Sequence, residues 1–189
     1  MEIILASKSP RRQELLGRII KEFTIINSNF DESTVIYKGD PKTYVMELAK
    51  GKGEIVAKNL SKPSIVIALD TIVVIDNKVL GKPKNEDDAR GMLRSLSGNN
   101  HKVYSGIYIL NTETGKCDID FAETTVRFSE LTELEINNYI KSKEPMDKAG
   151  AYGIQGLGGL FVESINGCYY NVMGLPLNLV YKKLSLLLE

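Results

Sequence analysis

The segment with the clearest chemical potential is S-K-S-P-R-R at residues 7–12. Its Ser-Pro pair is typical of a helix start, so Arg11 and Arg12 are predicted to lie in the first helical turn. Two cations there face the positive end of the helix dipole, which costs stability. A bound anion would offset that cost, because backbone N–H groups, the hydroxyls of Ser7 and Ser9 and the guanidiniums can surround phosphate oxygens. The open alternative is a solvated arginine pair beside an ordinary helix cap.

Asp70 is the second candidate, because it follows the apolar run at 64–69 and is predicted to end a buried strand. Open α/β sheets usually bind ligands beyond the carboxyl ends of their strands. A buried carboxylate also costs free energy unless it is used or paired. We interpret Asp70 as a general base, a metal ligand, or both. The alternative is an aspartate that starts a turn with Thr71.

Three further charged residues are candidates if they converge on one ligand. Lys52 falls inside a predicted helix between two glycines, and Lys82 stands in L-G-K-P-K, where the following proline stiffens the backbone. Glu32 lies in a polar loop and is a candidate metal ligand. Each of them taken alone is more typical of a solvent-facing side chain, so the interpretation depends on their meeting in space.

A glycine-rich segment, D-K-A-G-A-Y-G-I-Q-G-L-G-G at 147–159, allows the backbone to approach a ligand closely. Tyr152 and Gln155 within it could stack on or hydrogen-bond a nucleotide base. The segment is not a P-loop, since G-x-x-x-x-G-K-[ST] is absent from it and a strand rather than a helix is predicted to follow. A turn-rich structural loop is the alternative.

The elements that must position these residues follow from apolar periodicity, helix caps and turn residues. Strands are predicted at 2–6, 23–27 and 64–69. After a break at Asp70-Thr71, a further strand is predicted to turn at Asp76-Asn77. Two hairpins are predicted, one of 101–111 with 117–128 and one around Asn166-Gly167. Helices are predicted from Pro10 to about 20, Pro41 to about 58, Asn85 to Ser97, Thr132 to about 142, and from Pro176 onward. This alternation indicates an α/β fold with a mixed sheet flanked by helices.

Composition limits the functional classes. The chain has 189 residues, 43% of them hydrophobic, which suits one globular domain, with two lobes around a central cleft as its alternative form. Its 24 basic and 24 acidic residues balance, so nothing favours nucleic acid or a membrane surface as a partner. No signal peptide or membrane-spanning segment is predicted, and a cytoplasmic location is expected. With one histidine and no C-x-x-C pair, any metal is expected to have oxygen ligands.

Four sequence blocks together resemble the Maf family of nucleotide pyrophosphatases. They are S-K-S-P-R-R-Q-E-L-L at 7–16, A-L-D-T at 68–71, G-K-P at 81–83 and D-K-A-G-A-Y-G-I-Q-G at 147–156, in the family's order and spacing. The resemblance covers nearly the whole chain and implies an elongated α/β fold similar to that of inosine triphosphate pyrophosphatases. One departure is G-K-G at 51–53, where family members usually carry stronger helix formers.

The resemblance implies hydrolysis of a nucleoside triphosphate between its α and β phosphates, with Asp70 as catalytic base and Mg²⁺ or Mn²⁺ as cofactor. Residues expected from it to line the phosphate and metal site are Ser7, Arg11, Arg12, Glu32, Lys52 and Lys82. The last block resembles the subfamily that acts on dTTP and UTP, in which Arg12, Thr71 and Gln155 would set base specificity. A homodimer is expected from the resemblance alone.

The resulting hypothesis is that Asp70 deprotonates a water that attacks the α-phosphorus, while a cation held partly by Glu32 and Asp70 neutralises charge. One alternative is an aspartyl-phosphate phosphatase with Asp70 as nucleophile, although such enzymes typically carry D-x-D and residue 72 is Ile. Another is a regulatory module that binds nucleotide or nucleic acid without turnover, for example one linked to cell division.

Overall fold

A computed structural model describes residues 1–188 of the chain. Within them, the strands are β1 Glu2–Leu5, β2 Thr24–Ile25, β3 Ser64–Ile75, β4 Lys78–Leu80, β5 Asn100–Asn111, β6 Cys117–Phe128 and β7 Val162–Asn166. The α-helices are α1 Pro10–Gly17, α2 Pro41–Lys58, α3 Glu86–Leu96, α4 Glu133–Lys141, α5 Tyr169–Met173 and α6 Leu177–Leu188. Short 3₁₀ turns cover Glu32–Thr34, Glu144–Asp147, Ala149–Ala151 and Leu157–Phe161. No helix in this part of the chain has both the length and the apolar character needed to cross a membrane.

The strands form one mixed sheet in the order β2-β1-β3-β5-β6-β7, with β4 paired to β3. β1 pairs in parallel with both β2 and β3, whereas the β3–β4 and β6–β7 pairs are antiparallel. Parallel pairs require crossover connections, which here contain α1 and α2. The predicted α/β class with a mixed sheet flanked by helices is therefore confirmed.

The chain divides into two compact units. The first consists of residues 1–70, 105–122 and the C-terminal segment from Gly174; the second consists of 71–104 and 123–173. In the first unit, the buried core around α2 joins apolar side chains of three strands and that helix: Ile4, Ala6, Ala49, Val56, Val66, Ala68 and Tyr108. In the second unit, α3 and α4 pack against each other, and aromatic side chains occupy much of the core.

Local capping signals place most helix starts. The Ser9 side chain caps α1, with Pro10 as its first residue, and Asp40 caps α2 by accepting from two backbone N–H groups. Asn85 caps α3, and Thr132 forms the predicted capping box with its partner at the third helical position of α4. These starts were predictable because a side-chain oxygen beside the first turn satisfies its unpaired donors.

Two predicted elements are wrong. β3 does not break at Asp70-Thr71 but continues to Ile75, because the four residues after Thr71 are again apolar and buried. It ends at Asp76-Asn77, whose positive φ values of 48° and 61° form a tight turn into β4. No strand follows Asn166-Gly167 in the described chain; the short helix α5 forms instead.

The short helix α5 forms in place of the predicted strand because it brings the polar side chain of Asn171 to hydrogen-bond partners inside the second unit. The fully buried Asn171 side chain donates to the backbone carbonyl of Val103 and to the hydroxyl of Thr124, both at 3.0 Å. Thr124 also accepts from the backbone N–H of Cys168 at 3.0 Å. These long-range hydrogen bonds outweigh the local strand preference of the two tyrosines that precede Asn171.

The chain's one histidine, His101, gives the second unit a pH-dependent stability. It is 2% exposed, its Nε2 lies 2.8 Å from the Tyr152 hydroxyl, and the Phe128 ring packs against it at 5.0 Å between centroids. Burial lowers the pKa of His101 from 6.5 to about 4. Because the unfolded state takes up a proton first as pH falls, the stability present above pH 6.5 is progressively lost down to about pH 4.

We expect this effect to lower the free energy of unfolding by about 3 kcal/mol over that pH interval. Denaturant unfolding at pH 7, 6, 5 and 4 measures it. The matched variant His101→Gln keeps a polar side chain but does not titrate, so its stability should fall much less from pH 7 to 5. Equal losses in both proteins would contradict the prediction.

Candidate active site

Asp70 lies in a stretch of β3 that has lost its neighbour β1. The register of β1 with β3 ends at Leu5 with Ile67, and the backbone N–H of Ala6 makes a last bond to Ile67 at 2.8 Å. β4 begins to pair only at Val73. Asp70 therefore lies beyond the carboxyl end of β1, although it does not end β3 itself. This position agrees with the usual location of ligand sites in α/β sheets.

Lys52 holds the Asp70 carboxylate. Its Nζ forms a short contact with Asp70 Oδ1 and a second ion pair with Glu32 Oε1 at 2.7 Å. The side chains of Lys52 and Asp70 are 12% and 11% exposed, whereas that of Glu32 is 58% exposed. The structure thus brings together three predicted residues that are far apart in sequence, and it leaves one carboxylate of the cluster open to solvent.

Two glycines in α2 allow the close packing on both sides of Lys52. A Cβ added at Gly51 would overlap the ring of Phe30, and one added at Gly53 would overlap Tyr108. Phe30 lies two residues before Glu32, which is the first residue of the 3₁₀ turn Glu32–Thr34. The weak helix formers at 51 and 53 are therefore explained by packing, and Lys52 itself remains within a regular helix.

Arg12 joins α1 to this part of β3. Its Nη1 donates to the carbonyl of Leu69 at 2.9 Å and to Ser7 Oγ at 3.3 Å, and its Nε donates to the carbonyl of Gly174 at 2.9 Å. Ser7 is 7% exposed and also accepts from the N–H of Ser9 at 3.2 Å. The guanidinium thus satisfies the Leu69 carbonyl where pairing of β3 with β1 has stopped, and the Gly174 carbonyl before α6. Sequence reasoning missed this positioning role.

The charges in the first unit are strongly coupled. Burial raises the pKa of Asp70 above its usual range, while the charges of Lys52 and Arg12 oppose that shift. Burial lowers the pKa of Arg12, which the charge of Asp70 opposes and that of the half-buried Arg11 reinforces. A guanidinium and an ammonium beside a buried carboxylate can bind an anion and accept a proton from water.

Comparisons with known proteins identify the family of this chain. The family described as Maf-like protein matches residues 2–187. The chain belongs to the Maf family. A dTTP/UTP pyrophosphatase of Clostridium perfringens strain 13 is 62% identical over 185 residues, which cover 98% of this chain and 96% of the relative. Another dTTP/UTP pyrophosphatase, from Clostridium novyi strain NT, is 62% identical over 182 residues, covering 96% and 95% of the two chains.

A solved structure shares the fold at low sequence identity. The HAM1 protein of Coxiella burnetii aligns over 98% of both chains with a TM-score of 0.53 and 15% identity. This likeness concerns the fold alone. It agrees with the Maf fold predicted from the sequence.

Three predicted residues of this Maf chain belong to the second unit. Thr71 follows Asp70 in β3, Lys82 is exposed in the loop after β4, and Gln155 is exposed in a turn of the glycine-rich segment. The backbone N–H of Gly150 donates to the carbonyl of Gly81 at 3.0 Å, so the segment is tied next to Lys82.

Tyr152 does not have the predicted role in base binding. It is 5% exposed and packs between rings of the core, with its hydroxyl beside His101. Sequence reasoning also missed Tyr44 on α2. Burial raises the pKa of Tyr44, and the nearby charges of Asp70 and Glu32 raise it further. Its spacing of eight residues from Lys52, about two helical turns, could have indicated the shared face.

Glu32 and Asp70 fit a hard divalent cation as a pair of carboxylates. Both converge on the Nζ of Lys52, so a positive charge between them is already favoured. Within the described residues, no group of three His, Cys, Asp or Glu side chains is suited to hold a metal. A cation held here would complete its shell with water and substrate oxygens, as Mg²⁺ usually does.

Gly51 offers a direct test of how Glu32 is positioned in the Maf chain. Gly51→Ala adds a methyl group where the Phe30 ring lies, so the ring and the adjoining turn must move. We expect kcat/KM for nucleotide hydrolysis to fall about tenfold, because small displacements of charged groups are costly in catalysis.

The matched control is Gly91→Ala in α3, where an added Cβ meets no atom within 4 Å. It should keep full activity and raise the free energy of unfolding by about 0.5–1 kcal/mol. If Gly51→Ala keeps full activity and stabilises the chain as much as Gly91→Ala does, the Phe30 ring does not require glycine at position 51. Denaturant unfolding and initial rates provide both readouts.

Proposed function

We propose that this chain is a nucleoside triphosphate pyrophosphatase that hydrolyses dTTP and UTP to the monophosphate and pyrophosphate. The observation that carries the proposal is the buried Asp70 carboxylate, held by Lys52 and flanked by Arg12, in a chain 62% identical to a dTTP/UTP pyrophosphatase. Of the candidate site residues, only Glu32 and Lys52 lie outside the four family blocks. Lys52 pairs with both Asp70 and Glu32, so the structure joins them to the site.

Asp70 acts as the general base in this proposal. Its carboxylate accepts a proton from a water molecule that attacks the α-phosphorus in line, and the pyrophosphate departs from the opposite side. Lys52 orients the carboxylate, and its charge opposes the rise in the Asp70 pKa that burial causes. The raised pKa of Asp70 makes it a better proton acceptor than an exposed aspartate.

The basic residues bind the polyphosphate. Arg11, with the hydroxyl of Ser7 and the N-terminus of α1, accommodates phosphate oxygens, and Lys52 and Lys82 supply further positive charge. Arg12 holds Ser7 and the nearby backbone in place, since its guanidinium donates to Ser7 Oγ and to the carbonyls of Leu69 and Gly174.

Thr71, Gln155 and Arg12 select the base, as the family resemblance implies. Gln155 suits this role chemically, because its amide carries both a donor and an acceptor for the polar edge of uracil or thymine. It is exposed in a turn of the glycine-rich segment. Arg12 contributes to base selection in two ways: through its positive charge, and by holding the backbone carbonyls of Leu69 and Gly174 in place.

Mg²⁺ or Mn²⁺ is the proposed cofactor, with Glu32 and Asp70 as its protein ligands. A bound cation supplies charge neutralisation on the phosphate oxygens during the displacement. By the same resemblance we propose a homodimer. A cytoplasmic location is also proposed, and the free thiols of Cys117 and Cys168 suit its reducing conditions.

The test is to incubate the purified chain with dTTP, UTP, CTP, ATP and GTP plus Mg²⁺ or Mn²⁺ and to resolve the products by anion-exchange chromatography. We expect dTMP, UMP and pyrophosphate to appear preferentially. Release of orthophosphate without pyrophosphate would support the phosphatase alternative. Survival of every nucleotide, together with nucleotide binding measured by calorimetry, would support the regulatory alternative and overturn the proposal.

A further inference from the structure

Glu144, three residues before the glycine-rich segment, contacts that segment through its carboxylate. Its carboxylate accepts hydrogen bonds from the backbone N–H groups of Leu157 at 2.9 Å and Gly158 at 3.3 Å. It also accepts from the hydroxyl of Tyr139 at 2.9 Å. All these groups belong to the second unit, and none of them was a candidate from sequence. One carboxylate thus gathers three donors from α4 and the glycine-rich segment.

The same network encloses the turn that carries Gln155. The N–H of Gly153, before the turn, donates to the Tyr139 hydroxyl at 3.2 Å, and Leu157, after it, donates to Glu144. The turn itself is closed by the N–H of Gly156, which donates to the carbonyl of Gly153 at 3.2 Å. Gln155 is therefore fastened on both sides, although its own side chain is exposed.

Glycines in the segment leave room for the Glu144 and Tyr139 side chains. A Cβ at Gly156 would overlap the Glu144 carboxylate, and a Cβ at Gly158 would lie 2.7 Å from the Tyr139 hydroxyl. Gly156 has a φ of −110°, which any residue can adopt, so contact with Glu144 rather than backbone strain requires glycine there. The segment needs small residues for this close approach, and the polar network explains Gly156 and Gly158, whereas a Cβ at Gly153 would instead lie 2.7 Å from the Lys148 side chain.

Glu144 is charged in this setting. Burial alone would raise the pKa of its carboxyl, but hydrogen bonds from Leu157, Tyr139 and Gly158 outweigh burial and lower it. Lys148 adds to the effect through its charge, and its Nζ also donates to the backbone carbonyl of Glu144 at 2.7 Å. Hydrogen bonds to a charged acceptor are stronger than those to a neutral one, so the turn is held firmly.

We propose that Glu144 is a positioning residue for base selection, which, with Tyr139, holds the 153–156 turn so that the Gln155 amide meets the base in one orientation. The inference rests on the proposed function, because it assumes that Gln155 contacts the base. Glu144 itself does not touch the nucleotide in this account. A preorganised amide discriminates better than a mobile one, because a mobile amide can turn to match either a carbonyl or an amino group.

Glu144→Gln is the sharpest variant. It keeps the size of the side chain, but its amide nitrogen cannot accept from a backbone N–H, so one of the two oxygen contacts becomes a donor facing a donor. The readout is the ratio of kcat/KM for UTP over CTP, which differ only at the base. A ratio from one protein sample does not depend on the fraction that is folded, so a merely structural role would leave it unchanged.

We expect Glu144→Gln to lower the UTP/CTP ratio about tenfold, towards the ratio of Gln155→Ala. Gly156→Ala disturbs the same contact from the opposite side, and it should lower the ratio as well; it keeps the test decisive if Glu144→Gln fails to fold. The matched control Glu163→Gln, an exposed glutamate in β7, should keep the wild-type ratio.

The proposal is overturned if Gln155→Ala changes the ratio while every folded variant among Glu144→Gln and Gly156→Ala keeps it. It is also overturned if Gln155→Ala leaves the ratio at the wild-type value, because the turn would then carry no base contact. In both of these results the proposed pyrophosphatase activity stands. Failure of the wild-type chain to release pyrophosphate from UTP would instead overturn the proposed function.

Discussion

Replacing Asp70 with asparagine is expected to lower kcat for dTTP hydrolysis by a factor of about 10²–10⁴, because the variant loses the group that accepts the proton from water. The fold should persist. Asparagine has nearly the same shape, and Lys52 keeps Glu32 as an ion-pair partner at 2.7 Å. Removal of a buried carboxylate also relieves a desolvation cost, so the free energy of unfolding should change by less than about 1 kcal/mol.

The control is Asp76→Asn, which makes the same chemical change at an exposed position six residues away in the chain. Asp76 lies in the β3–β4 turn with a φ of 48°, which asparagine tolerates well. Full activity is expected there. Near-normal turnover in Asp70→Asn, measured by initial rates, would remove Asp70 from the mechanism.

Replacing Lys52 with methionine should have the largest effect on stability. It leaves the Asp70 carboxylate buried without its main counter-charge, a change that typically costs about 3–5 kcal/mol. Turnover should also fall by at least about 100-fold, since both the base and the polyphosphate lose the same ammonium. Denaturant unfolding and initial rates measure the two effects.

The double variant Lys52→Met with Asp70→Asn separates the electrostatic cause from packing. It removes the unpaired charge, so it should be more stable than Lys52→Met alone, although it is inactive. Lys50→Met on the same helix is the matched control, because Lys50 is 53% exposed and pairs with Glu54 only at 3.8 Å. If the double variant is no more stable than the single one, burial of an unpaired Asp70 is not the reason for the loss.

Local chemistry made much of the fold predictable. The starts of α1, α2, α3 and α4 depend on side chains within a few residues of the helix, and the Asp76-Asn77 turn depends on its own backbone preference. The wrong elements have non-local causes. The apolar residues after Thr71 continue β3, and Asp70 within it pairs with Lys52, eighteen residues earlier, while the charge of Arg12 also opposes the effect of burial. α5 forms because Asn171 finds distant partners inside the second unit.

The candidate site shows the same division. Residue type and spacing indicated Asp70, Lys52 and Glu32 separately, but only the structure brings them into contact. A pattern in the chain could not show that Arg12 binds a carbonyl 162 residues away, since nothing near residue 174 indicates an acceptor. Tyr152 was misinterpreted because a tyrosine in a glycine-rich loop looks the same in sequence whether its ring is buried or exposed.

The most direct test of the central claim is hydrolysis of dTTP in water enriched in ¹⁸O, with the label located by mass spectrometry of the separated products. Attack on the α-phosphorus, assisted by Asp70, places one ¹⁸O atom in dTMP and none in pyrophosphate. That result is predicted for the wild-type chain, with the label lost in parallel with activity in Asp70→Asn. Label in pyrophosphate, or in orthophosphate released from the terminal position, would contradict the account.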